Sequence, residues 1–147
     1  MNRGRQVYEL KVSLRGSRPL IWRRFQVLND VTLFRLHSIL QVVMGWTDSH
    51  LHQFLAGHIY YGKPEPEYGA DHEDDRRTRL SRVLHRPKDA MVYEYDFSDG
   101  WEHILVLERI VEPVTGAQCP PRMLAASVDT TSSCRQWPTR VILNIAR

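Results

Sequence analysis

The stretch from Thr32 to Gly45 constrains the fold most, because its apolar residues repeat with a helical period while its neighbours alternate. Leu33, Leu36, Leu40, Val43 and Met44 fall at i, i+3, i+7, i+10 and i+11, which is one face of an α-helix. Thr32 is placed to cap that helix, its hydroxyl accepting from an unpaired backbone N–H. Gly45 stands where a left-handed residue closes the other end. On the N-terminal side, Val7, Leu10, Val12 and Leu14 alternate with Glu9, Lys11 and Ser13. Leu20–Leu28 is rich in aromatic and β-branched residues, and Gly16–Pro19 lies between the two runs as a turn. Together they read as an antiparallel hairpin.

The pattern after the helix is similar. His50–Tyr61 reads as strand broken at Gly57. Met91–Phe97 and His103–Val111 read as strands joined through Ser98–Gly100, and Leu80–Leu84 as a short helix. Lys63–Arg77 is proline-rich and then acidic, the texture of a mobile loop. The expectation is an α+β fold, a mainly antiparallel sheet packed with one main helix and a short second one.

The chain has 147 residues, of which 42% are hydrophobic and 25% charged, enough for one domain with its own core. No apolar run approaches the roughly 18 residues of a membrane span. Met1–Leu10 is charged and lacks a signal-peptide core, so the expected address is cytoplasmic, with no membrane partner. Cys119 and Cys134 form no metal-ligand spacing and no disulfide framework. The net charge of +3 is unevenly spread: residues 1–30 are basic, whereas Glu65, Glu67, Asp71, Glu73, Asp74 and Asp75 cluster without a base. A nucleic-acid footprint should be a contiguous basic face, and the hairpin residues Arg15, Arg18, Arg23 and Arg24 are the place to look for one.

Histidines and carboxylates carry the remaining signals. His50 and His52, two apart on a strand, would share a face and, with Asp48, Asp96, Asp99 or His103 nearby, could supply nitrogen and oxygen ligands to a divalent metal. Set against that, these side chains could simply bond backbone groups beside Trp46 and Trp101. Asp96 and Asp99 flank a tight turn ending at Trp101, where carboxylates accept turn N–H bonds as readily as they do acid/base work. One of Arg23 and Arg24 must face inward if alternation holds, and Glu94, Asp96 or Asp99 would be its expected counter-ion. Arg23, Arg24, His37, Asp96, Asp99 and Trp101 form the candidate polar site. No phosphate-binding loop, dinucleotide fingerprint, serine-hydrolase elbow or zinc-protease motif is present.

Jointly these segments resemble the plasmid pRiA4b ORF-3-like family. The resemblance is carried by Tyr8-Glu9-Leu10-Lys11-Val12, Ile21-Trp22-Arg23-Arg24, Thr32-Leu33 with Leu36-His37, and Met44-Gly45-Trp46. It continues through His50-Leu51-His52-Gln53-Phe54, Leu80-Ser81, Tyr95-Asp96-Phe97 and Asp99-Gly100-Trp101 with His103, in family order over about residues 6–112. The resemblance implies an α+β domain found on plasmids and mobile elements, some members bearing the label TnpR, with no established activity. Two departures stand out. The family shows Asp-Phe-Gly-Asp where Ser98 replaces glycine, a cost of roughly 1 kcal/mol if that position needs positive φ. After Cys119-Pro120-Pro121, relatives continue E-D-x-G-G and then G-Y-x-x-F-L, whereas Arg122 opens RMLAASVDTTSSC. Codons can be chosen for that stretch so that reading two bases later gives DVGGVGGYYEFL. The expected organisation is therefore an ORF-3-like domain over 1–112 and an atypical, poorly ordered tail over 113–147, frameshifted from about Arg122.

The expected function is a non-enzymatic binding or accessory domain with no cofactor. Two alternatives remain: a metal-dependent enzyme or metal-binding module using His50, His52, His103, Asp96 and Asp99, and a nucleic-acid-binding accessory protein working through the arginine-rich hairpin.

Overall fold

A computed structural model describes residues 4–65 and 72–112. In chain order the elements are β1 (Val7–Leu14), β2 (Trp22–Leu28), α1 (Leu33–Met44), β3 (His52–Ala56), β4 (Ile59–Gly62), β5 (His72–Asp74), α2 (Leu80–Val83), β6 (Ala90–Tyr95) and β7 (Trp101–Val111). The strands make one sheet in the order β2-β1-β7-β6-β3-β4-β5. Every pairing is antiparallel except β4 with β5. The fold is α+β.

Local chemistry sets the main helix. Thr32 Oγ1 accepts the Arg35 N–H at 3.2 Å, and Gly45 adopts φ 77°, the left-handed conformation that costs glycine least. Leu33, Leu36, Ile39, Leu40 and Val43 then turn one face onto the sheet. They meet Leu10, Val12, Phe25, Phe54, Tyr93, Leu105 and Leu107, with Leu80 and Leu84 completing the core. Each such side chain contributes on the order of 1.5–3 kcal/mol through burial.

Three readings need correction. His72–Asp74 lies inside the segment expected to be a mobile loop, yet it forms β5, an edge strand parallel to β4. Strand β3 starts at His52, so His50 lies just before it and the two histidines do not form the strand pair proposed above. Ser98 does not have positive φ; Asp96 (φ 62°) and Gly100 (φ 67°) do, so the serine in that turn carries no left-handed strain.

The arginines also depart from expectation. Register places Arg24 opposite Lys11 and Arg23 opposite Val12, so Arg24 faces outward and Arg23 toward the core side. Among the described residues the inward Arg23 meets none of Glu94, Asp96 and Asp99, while the outward Arg24 pairs with Glu108 and approaches Glu9. Glu94 instead accepts from Gln53 at 2.8 Å. Arg15 meets Glu102 at 2.8 Å and Arg109 meets Glu9 at 3.3 Å, so acids interrupt the basic face of the hairpin.

Among the described residues no helix is long and apolar enough to cross a membrane. Cys119, Cys134 and the expected atypical tail lie outside the described residues.

Candidate functional site

One end of the sheet collects the C-terminal ends of β1, β4, β5 and β6 with the starts of β2, β3 and β7. The chain leaving α1 also arrives here, where Trp46 packs on Tyr95, Trp101 and His103. His37, His50, His52, Asp96, Asp99, Trp101 and His103 therefore share one region, but they divide into three separate arrangements.

The first is a closed hydrogen-bond ring. Gln41 Nε2 donates to the Tyr93 hydroxyl at 2.8 Å, and that hydroxyl lies 2.7 Å from His37 Nδ1. His37 Nε2 lies 2.8 Å from Asp48 Oδ1, and the Asp48 N–H donates to Gln41 Oε1 at 2.7 Å. A carboxylate only accepts, so His37 donates through Nε2 and accepts the hydrogen bond of the Tyr93 O–H at Nδ1. The donors run one way round the ring, an arrangement in which each bond polarises the next. Burial, reinforced by His52, holds His37 below the ordinary histidine range despite the pull of Asp48. Burial likewise raises Tyr93, which keeps its proton.

His52 stacks on this ring. Its imidazole lies 3.5 Å from that of His37 with planes 8° apart, and its Nε2 reaches Asp75 Oδ2 at 2.6 Å. Phe34 closes over both imidazoles and carries the Arg76 guanidinium on its own face. Asp75, 2% exposed, thereby links the end of β5 to β3, and its carbonyl accepts the Phe34 N–H at the start of α1.

His103 is separate and buried. Trp46 Nε1 can only donate, so His103 Nε2 accepts from it at 3.1 Å, and His103 Nδ1 gives its hydrogen to the Tyr93 carbonyl at 3.1 Å. Both nitrogens are committed and the ring is neutral, consistent with burial lowering its pKa. His50 is exposed and lies 3.6 Å from Asp96. Asp96 Oδ1 accepts from the N–H groups of Ser98 and Asp99, holding the turn, while Asp99 is exposed. The proposed metal set is thus split three ways. Among the described residues no three His, Cys, Asp or Glu side chains are grouped to hold a metal.

Asp48 is expected from the sequence as an oxygen ligand beside His50 and His52, whereas Asp75, Gln41, Tyr93 and Phe34 are not expected as site residues. His37 and Gln41, four apart on the apolar helix face, were the available signal, since polar residues there need buried partners. Asp75, one acid in a run of six, gave none. At the same end of the sheet, Leu51 is 57% and Trp101 39% exposed, with Phe97 also in solvent. Exposed apolar side chains beside fixed polar groups can hold a ligand, and the bonded imidazoles are not arranged as free bases.

Comparison with known proteins agrees with this architecture. The family described as "Plasmid pRiA4b ORF-3-like protein" matches residues 6–132, past the end of β7. "Uncharacterized protein y4hQ" of Sinorhizobium fredii is 41% identical over 115 residues, covering 78% of this chain and 59% of that relative. The chain thus spans about three-fifths of that relative's length. The crystal structure of a protein of unknown function, MM3350 from Methanosarcina mazei Go1, superposes with a TM-score of 0.71 at 31% identity, covering 82% of this chain and 69% of the other.

Proposed function

The chain belongs to the plasmid pRiA4b ORF-3-like family, and from that premise we propose that it is a cytoplasmic, non-enzymatic binding or accessory domain. The proposal extends to service on a mobile element, in keeping with the family's plasmid association. One observation carries it: His37, His52 and His103 bond Asp48, Tyr93, Asp75 and Trp46, at the end of the sheet where Leu51, Phe97 and Trp101 are exposed. Groups bonded in this way position loops, and the exposed apolar residues beside them are what a ligand meets.

Amide chemical-shift mapping with a library of small apolar fragments tests the reading. Saturable shifts are expected at Leu51, Phe97, Gly100 and Trp101, with the fragments recovered unchanged. Metal analysis and calorimetry with Zn2+, Mn2+ and Mg2+ form the opposing arm. Stoichiometric metal uptake that disappears in His52→Ala would overturn the proposal in favour of a metal-dependent module.

A further inference from the structure

Among the described residues two buried side-chain atoms lack a hydrogen-bond partner, Gln26 Oε1 and Arg23 Nε, and only the second belongs to a charged group. Arg23 shares the core face of β2 with Phe25 and Val27, as its register opposite Val12 requires. The Leu14 N–H donates to the Ile21 carbonyl at 2.8 Å, so the β1–β2 pairing continues past Trp22 and brings Ile21 to the next position on that face. Leu14 also pairs with His103, which puts Trp101, two residues earlier on β7, on the same side. Helix α1 ends at Met44, and Trp46 turns onto Tyr95 and His103. Ile21 is left 42% and Trp101 39% exposed. The outcome is a shelf of Ile21, Arg23, Leu14 and Trp101, bounded by the Trp46 ring 5.7 Å from that of Trp101.

On that shelf Arg23 is half-buried, with Nε sealed from water and without a hydrogen-bond partner. The other arginines of this sheet region, Arg15, Arg24 and Arg109, each meet a glutamate. Among the described residues no carboxylate pairs with Arg23. A guanidinium offers five donors in a planar fork suited to an oxyanion, and burial strengthens such bonds while making an unmet donor costly.

We propose that this shelf binds an organic oxyanion, a carboxylate or phosphate borne on a flat apolar body. Arg23 takes the anionic head, and Trp101 and Ile21 take the body. The inference rests on the reading of the protein as a binding module and gives that module a ligand class.

The test follows the Arg23 Nε–H and Trp101 indole N–H signals by NMR during titration with benzoate and with phenyl phosphate. Saturable shifts at both positions are expected, and the tighter of the two probes identifies the head group. Inorganic phosphate and benzyl alcohol, each lacking half of the ligand, should bind at least about tenfold more weakly. Arg23→Gln should weaken the better probe by about tenfold or more, Arg23→Lys by less, and Trp101→Ala should weaken it with Arg23 intact. Arg18→Gln, a charge change outside the shelf, should leave affinity unchanged. Wild-type protein giving no saturable response to either probe, or folded Arg23→Gln binding as wild type, would overturn the inference. Fragment binding at Leu51 and Phe97 with Arg23 silent removes this inference alone. Metal uptake abolished by His52→Ala removes the binding-module reading beneath it.

Discussion

Tyr93 is the residue on which two networks meet: its hydroxyl completes the Gln41–His37–Asp48 ring and its carbonyl takes the hydrogen of His103. Tyr93→Phe keeps the ring's volume but strands His37 Nδ1 and the Gln41 amide in a dry site. A loss of about 1–3 kcal/mol is expected, read as a lower urea midpoint at unchanged slope. The buried histidines also set a pH dependence. Burial lowers both His37 and His103 from the ordinary value of 6.5 that they regain on unfolding. Just below that value the unfolded chain binds more protons than the folded one. Their contribution is therefore full above about pH 6.5 and declines as pH falls toward the folded values. Thermal midpoints measured from about pH 8 to about pH 5 should fall on the acid side, and less steeply in His37→Gln.

Individual elements depend on single side chains in the same way. Thr32 supplies the cap of α1, and Thr32→Ala should cost about 1 kcal/mol in chemical denaturation. Strand β5 is three residues long and pairs with β4, and Asp75 just beyond it adds the contact to His52 and accepts the Phe34 N–H at its carbonyl. Asp75→Ala leaves the backbone bond and removes the side-chain one. Amide hydrogen exchange should then accelerate along His72–Asp74 and at the start of α1, while the interior strands β1 and β7 keep their protection.

At the scale of the whole molecule, the described hydrophobic core is built between Tyr8 and Leu107. The reading of 1–112 as a folding unit predicts that a chain ending at Glu112 retains a cooperative thermal transition and the far-ultraviolet spectrum of an α+β protein. Non-cooperative melting of that truncated chain would show that residues beyond β7 are needed. The charge layout yields a second expectation. With Arg15, Arg24 and Arg109 facing glutamates, duplex DNA should bind weakly, and its affinity should change with salt far less steeply than for a protein making many phosphate contacts.

The sequence by itself determined the elements whose information is local. The hairpin, the capped helix and its apolar stripe, the β3–β4 turn at Gly57 and the β6–β7 ribbon all follow from period, caps and turn residues acting within a few positions. Family membership was legible for the same reason, in short motifs kept in order. Strand β5 was not legible, because three polar residues pair as an edge strand only when β4 is already beside them. The candidate site was half legible. Its histidines stood out, but their partners did not: whether His52 meets His50 or His37, and whether Arg23 or Arg24 finds a glutamate, depends on where strands begin and how they register. Those choices join residues tens of positions apart, as with Tyr93 and His37 or Asp75 and His52, and only the tertiary structure makes them, because the burial that makes such bonds matter exists only once the sheet and α1 have closed on each other.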